Sequence, residues 1–280
     1  MIISASRRTD IPAFYSQWFE KRLQEGFCIV RNPMNPKQQR IISLKDEDVC
    51  CFVFWTKNAI PFYHIVEKLH NRSIPFYFLY TINAYNSEVE MGLPTLEDRL
   101  ENFIRMSDCF GISSLVWRYD QIIITPNFTE RYHYDAFERI CGSLQSYTDT
   151  CIISFVHEYR KNRRALKTMQ AIVQTDAQKL RIYNNLASIS KKYGMQLQVC
   201  SDSISSKVNK YAEACISSLR LQNIGVQGVL LKDRNQRKNC QCISSIDIGS
   251  YYTCMHKCNY CYAGQRNKKK LHNYHQEMLD

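Results

Sequence analysis

No apolar run in this chain is long enough to cross a bilayer: stretches such as Cys50–Trp55 fall far short of the roughly 20 residues a membrane helix needs. No secretory leader is expected either, because Met1-Ile-Ile-Ser-Ala-Ser-Arg-Arg turns polar almost at once. Repeats of fixed period and low-complexity linkers are also missing, so nothing divides the chain into arrayed or flexibly joined modules. An even cysteine count is the last absence. Thirteen cysteines in 280 residues argue against a closed disulfide framework and for metal or redox use of the thiols. A cytoplasmic location, where thiols stay reduced, is the expectation, and there the formal sequon at Asn127-Phe-Thr has no meaning.

What is present is ordinary globular material, 45% hydrophobic and 22% charged, which excludes disorder, collagen-like repeats and coiled coil. Lys and Arg number 37 against 26 Asp and Glu, a net charge of +11 that favours an anionic partner. Short β-branched or aromatic runs recur at Ile2–Ala5, Cys51–Trp55, Phe76–Thr81, Ser114–Trp117, Cys151–Phe155 and Gln196–Cys200. Most are nearly continuous in apolar residues, as strands covered on both faces are. Between and after them, helical patterns run over Pro12–Glu25 (capped by Asp10, stopped by Gly26), Ala59–Asn71, Thr95–Ser107 (opened by Thr95-x-x-Asp98), Thr129–Gln145, Asp176–Tyr193 and Lys207–Leu221. This alternation predicts an α/β fold with a parallel βα barrel, full or partial and TIM-barrel-like. Composition shifts after Leu231, which separates a barrel-like part, 1–231, from a cysteine-rich segment, 232–280, packed on the same domain.

Polar residues follow each strand candidate: Ser6-Arg7-Arg8-Thr9-Asp10, Thr56-Lys57-Asn58, Thr81-Ile-Asn83, Arg118-Tyr119-Asp120, His157-Glu158-Tyr159 and Ser201-Asp202. In parallel α/β folds the carboxyl ends of the strands share one face, and that face carries the site. Loops are polar for solvation alone, and Asp10 can serve simply as a helix cap. Adjacent Arg and Asp beside a buried strand, as in Arg118-Tyr119-Asp120, need partners.

Near the C-terminus stands Cys254-Met-His-Lys-Cys258-Asn-Tyr-Cys261. Three cysteines at this spacing can wrap one metal centre from a single loop, and a cubane cluster held by three thiolates keeps one iron open to an outside ligand. Zinc is the rival metal, with Cys242 or His256 as a fourth donor.

The C-x3-C-x-aromatic-C pattern, with Tyr260 as the aromatic residue, resembles the signature of the radical S-adenosylmethionine (SAM) superfamily. That resemblance implies a [4Fe–4S] cluster whose open iron binds SAM and whose electron cleaves it to a radical that attacks a substrate. Ile3-Ser-Ala-Ser-Arg-Arg-Thr-Asp-Ile-Pro12, Trp117-Arg-Tyr-Asp120 and Asp247 through Ala263 resemble an uncharacterised bacterial family with such a cluster at its C-terminus. Cys258–Ala263 is also similar to spore photoproduct lyase, a pointer to DNA. The cysteine loop of radical SAM enzymes follows the first barrel strand, whereas here it comes last, after a possible strand at Ile243–Ile248. A permuted order is expected, with Ile243–Ile248 beside Ile2–Ala5.

On this reading Cys254, Cys258 and Cys261 hold the metal, and Tyr260, Arg7 and Thr9 contact SAM. Arg8, Asp10, Arg118 and Asp120 are the catalytic candidates, and Lys57 and Asn83 meet the substrate. Cys200, Cys215, Cys240 and Cys242 make a possible second cluster, with Cys215 read as helical. Cys28, Cys50, Cys51, Cys109, Cys141 and Cys151 are assigned to the core. Basic runs at Arg160–Lys167, Lys232–Lys238 and Arg266–Lys270 leave open a nucleic-acid substrate beside a small molecule. A reductant protein is implied, and no membrane. The rival functions are a nucleic-acid-binding module stabilised by zinc or a cluster, and an iron–sulfur electron-transfer protein.

Overall fold

A computed structural model describes residues 1–209, 214–228, 230–237, 239–264 and 276–279. In chain order it contains β1 (Ile2–Ala5), α1 (Ile11–Phe14), α2 (Ser16–Glu25), β2 (Phe27–Asn32), β3 (Asn35–Ser43), β4 (Cys51–Thr56), α3 (Tyr63–Asn71), β5 (Phe76–Thr81), α4 (Leu96–Phe110), β6 (Leu115–Ile122), α5 (Glu130–Leu144), β7 (Thr150–Phe155), α6 (Arg163–Thr168), α7 (Asp176–Lys192), β8 (Gln196–Val199), α8 (Ser205–Val208), α9 (Ser218–Asn223) and β9 (Ile246–Asp247). Seven strands form one sheet in the order β8-β7-β6-β5-β4-β1-β9, and the paired neighbours run parallel. Among the described residues none of the helices is long and apolar enough to cross a membrane.

Side-chain alternation divides the sheet into two buried faces. Ile3, Phe52, Phe54, Phe78, Trp117 and Ile153 point to one face, where Trp18 and Phe19 of α2, Val66 of α3, Phe103 of α4, Phe137 of α5 and Ile182 of α7 cover them. Ile2, Val53, Tyr77, Leu79, Val116 and Ile152 point to the other, against Ile216, Leu221, Val226 and Ile243. Both faces are buried, as the continuous apolar runs imply.

The expected barrel is not closed. Its crossover helices lie on one face, as in a barrel, but β8 and β9 remain at opposite edges of the sheet. The segment from Ile216 to Ile243 fills the space that a closed barrel would give to inward side chains. Tyr77 anchors that segment by donating its hydroxyl to Cys215 O at 2.8 Å.

The expected pairing of the late strand with the first is found. β9 lies beside β1 in the register Ile3↔Ile246 and Ser4↔Asp247. It is shorter than the sequence suggests, two residues rather than six. The capping pair at Thr95 and Asp98 forms both of its hydrogen bonds, and Gly26 ends α2 at φ 77°.

Two helix expectations fail locally. Pro12–Glu25 is broken at Tyr15, whose hydroxyl is held by Thr253 O at 2.6 Å, so α1 and α2 are separate. Lys207–Leu221 is not one helix: α8 stops before Asn209, whose amide accepts from Val199 N and donates to Val199 O, each at 2.8 Å. Asn209 thus satisfies the free edge of β8 in place of another strand. Residues 210–213 lie outside the described residues, and Cys215 is in an irregular stretch before α9, not in a helix. The antiparallel pair β2–β3 and the helix α6 are additional to the sequence reading. Cys109, assigned to the core, is exposed.

His133 of α5 is enclosed between the Tyr119 hydroxyl, 2.7 Å from Nδ1, and Ile123 O, 3.0 Å from Nε2. Burial pushes it down from the usual 6.5 to about 4. The unfolded chain therefore binds this proton first, so stability is complete above 6.5 and is lost as pH falls toward 4, by on the order of 3 kcal/mol from this group. Denaturant unfolding across that range should show the slope, and His133→Asn should flatten it; an equal slope in the variant would reject the assignment.

Candidate active site: a cysteine-lined cavity at the carboxyl ends of the strands

Asp247, at the end of β9, ties the last strand's loop to the first. Its carboxylate accepts from Ser6 Oγ at 2.5 Å, Arg7 N at 2.8 Å and Gly249 N at 3.0 Å. Arg8 Nη1 donates to Gly249 O at 3.2 Å, and the Tyr262 hydroxyl to Arg7 O at 3.1 Å. The approach is close enough that a Cβ at Gly249 would stand 2.0 Å from Ser6 Oγ. The Arg7–Asp10 loop therefore lies against the cysteine loop, as the permuted order requires.

The cysteine loop is also stitched to the loop after β5. Gly92 N donates to His256 O at 3.0 Å and Asn259 N to Val89 O at 3.0 Å, with Glu90 and Cys258 bridged antiparallel. A Cβ on Gly92 would meet three His256 and Met255 backbone atoms at 3.0 Å, so this contact needs a bare backbone. His256 is buried, with Nε2 2.7 Å from Asp10 Oδ2 and Nδ1 3.1 Å from Gly92 O. Both ring nitrogens are engaged, which leaves neither to ligate zinc.

Asp10 is the hub of this corner. Oδ1 accepts from Ala13 N at 2.9 Å, which caps α1, and from the Thr56 hydroxyl at 2.8 Å. Oδ2 takes Lys57 N at 2.7 Å besides His256. Read from the sequence as catalytic, it is fully occupied in positioning the ends of β1 and β4 and the cysteine loop.

Glu90 is the charged centre that sequence reasoning missed. Its Oε1 accepts from Lys57 Nζ at 2.7 Å, from Asn83 Nδ2 at 3.0 Å and from the Tyr260 hydroxyl, and Arg99 Nη1 stands 3.9 Å from Oε2. Burial alone would raise this carboxyl, but the Lys57 ammonium and these hydrogen bonds hold it below the usual carboxylate range. Glu90 holds Lys57 above its ordinary value in turn, against burial. No strand or helix signal marks position 90, because the loop from residue 82 to residue 95 carries neither period.

These elements open into one cavity of about 240 Å³. Arg7, Arg8, Thr9, Asp10, Lys57, Arg118, Asp120 and Tyr260 line it, as do Cys254, Cys258 and Cys261. The cysteines suggested for a second centre, Cys200, Cys215, Cys240 and Cys242, line it as well. Asn83 does not; it lies beneath, donating to Asp120 O at 2.8 Å and accepting from Asp120 N at 2.9 Å. Arg118 Nη2 donates to Asp120 Oδ2 at 2.8 Å, and Ser154 donates to Oδ1. Arg7 Nη2 and Thr9 Oγ1 are buried with no hydrogen-bond partner.

The donor set fits a cluster held by three thiolates. Cys258 is buried and Cys254 and Cys261 are partly so. Burial pushes Cys254 up to about 12 and raises Cys258 and Cys261, and Cys254 and Cys258 also feel the Cys261 thiol. Without metal these groups keep their protons, so a metal must displace them. Ala263 N points at Cys261 Sγ from 3.4 Å, a donor suited to a thiolate. Among the described residues no group of three or more His, Cys, Asp and Glu side chains is placed so that it could hold a metal ion without rearranging.

Removing Glu90 strands a largely buried ammonium. Glu90→Ala should cost about 3 kcal/mol in denaturant unfolding, and Lys57→Met together with Glu90→Leu should recover most of it. A single-variant loss below about 1 kcal/mol would show that the pair is solvated and carries little of the loop's stability.

No curated protein matches the chain. A family model described as a domain of unknown function, DUF1848, matches residues 2–263, from β1 through the residues just after Cys261, so the whole sheet and the cysteine loop fall inside it. That description names no chemistry, and by this match the chain belongs to the DUF1848 family.

Proposed function

We propose that this protein is a radical SAM-type enzyme, with a [4Fe–4S] cluster held by Cys254, Cys258 and Cys261. The observation that carries the reading is the position of this trio: three thiols of one loop, facing a cavity at the carboxyl end of a parallel sheet, with that loop entered from a strand paired to β1. When bound, the cluster supplies the electron that cleaves SAM.

This chain's residues bind and orient. Arg7 and Thr9 bring unpartnered polar atoms to the cavity and serve the polar groups of SAM, and the Tyr260 ring lines the same cavity. Arg118, buried, and Asp120, partly so, form a charge pair at the cavity and position the substrate's polar groups, with Lys57 next to them. Arg118 opposes the cost of burying Asp120 and holds it below the usual carboxylate range, so it faces the substrate as an acceptor. Asp10 and Glu90 keep the cysteine loop and Lys57 in place. A reductant protein must deliver the electron, and the substrate is a small molecule or a nucleic acid.

The zinc reading needs a fourth donor for the trio. His256 has both nitrogens engaged, and Cys242 stands among other thiols.

The test uses anaerobically purified protein: iron and sulfide content, then reduction with SAM and assay for 5′-deoxyadenosine. Iron bound by the trio together with reductive cleavage is expected, and Cys258→Ser should lose both. Zinc in place of iron, with SAM left intact, would end the reading and favour the binding module.

A further inference from the structure

Four thiols outside the trio meet on another wall of the cavity. Cys200 follows β8, Cys215 precedes α9, and Cys240 and Cys242 lie in the loop before β9, so three distant parts of the chain converge. The Cys215 and Cys200 sulfurs are 3.1 Å apart. Cys215 interacts in turn with Cys242, and Cys242 with Cys240, so the four thiols stand in one continuous row.

Two arginines stand with them. Arg118 Nη1 donates to Cys215 Sγ at 3.0 Å. Arg7 lies close enough to feel Cys242, Cys215 and Cys240, and its buried Nη2 has no hydrogen-bond partner. Both guanidinium carbons are 4.9 Å from the centre of the Trp55 ring. Free buried cysteines act as small hydrophobes and call for no cation. A neutral thiol is also a poor acceptor for a charged donor. Four thiolates on a metal centre would carry net negative charge, and two guanidiniums would offset it.

We propose that Cys200, Cys215, Cys240 and Cys242 hold a second, fully ligated iron–sulfur cluster that shares the cavity with the first trio. Four thiolates close all the corners of a cubane, so this centre keeps no iron open, in contrast to the trio. Structural zinc sites separate paired cysteines by two to four residues. Cys240-Gln-Cys242 has a single residue between its thiols, outside that zinc spacing. The short sulfur contacts are those of protonated thiols; loading removes the protons and spreads the sulfurs, each to its own iron. All four ligands lie outside the strands and helices, on backbone that can accommodate that shift.

The experiment is iron, zinc and acid-labile sulfide analysis of the full chain, purified anaerobically, in three forms. Wild type should carry about eight irons, Cys254→Ala/Cys258→Ala/Cys261→Ala about four, and Cys200→Ala/Cys215→Ala/Cys240→Ala/Cys242→Ala about four. The trio variant leaves the four thiols untouched, so it decides the matter even if the quadruple variant does not fold. A trio variant with no iron, or with zinc instead, overturns the proposal. Wild type with about four irons, all kept by the trio variant, upholds it and rejects the reading of Cys254, Cys258 and Cys261, so the two fail separately.

Discussion

The bond that the site depends on is the one between the chain's late strand and its first. Asp247 accepts from Ser6 and Arg7 on one side and from Gly249 on the other, and β9 has only two residues with which to hold its place on β1. Two ladder residues are too few to fix a register by themselves, so a charge-assisted set of hydrogen bonds does it instead. Once β9 is pinned, the chain leaves it at the carboxyl end of the sheet. The cysteine loop is then delivered to the face where the end of β6 and the loops after β1, β4, β7 and β8 already converge.

From that joint the rest follows by satisfying buried charge. A carboxylate inside a protein must be met by donors, and each one here is met from a different element. Asp10 joins α1, the end of β4 and His256. Glu90 joins Lys57, Asn83 and Tyr260. Asp202, after β8, takes Lys179 of α7 at 3.0 Å and His157 at 3.4 Å. These carboxylates act as rivets between loops that no secondary structure connects, and they fix the cavity's walls.

Legibility in the sequence tracked how local the cause was. β1, β5 and α7 could be read almost to the residue, because a run of apolar residues or a helical period with a cap is written in adjacent positions. The joining of β9 to β1 was legible for a different reason: the resemblance implied a cysteine loop that follows the first barrel strand, and barrel-like chains bring their ends together. Barrel closure was not legible, because it depends on whether a segment elsewhere in the chain, here Ile216–Ile243, fills the inner face. Glu90 was invisible because its role comes from Lys57 and Tyr260, far away in sequence, and Asp10 could not be resolved because capping and positioning use the same atoms that catalysis would.

The charge balance gains a different meaning once the cations are located. An excess of Lys and Arg reads in a sequence as attraction for an outside polyanion. Several of the cations in question are committed within the molecule. Lys161 lies over the rings of Tyr251 and Tyr252, at 4.4 and 4.1 Å, and so braces the approach to the cysteine loop. Arg163 pairs with Glu158, and Arg237 lies 5.8 Å from the centre of the Tyr159 ring at the cavity wall. Arg7, Lys57 and Arg118 face the thiols themselves. The run at Arg266–Lys270 lies outside the described residues. Seven thiols line this cavity, burial opposes the thiolate form of each, and a cation nearby lowers that cost. The buried part of the chain's basic excess is therefore spent among its own thiols and carboxylates, and the position of that charge carries more information than its sum.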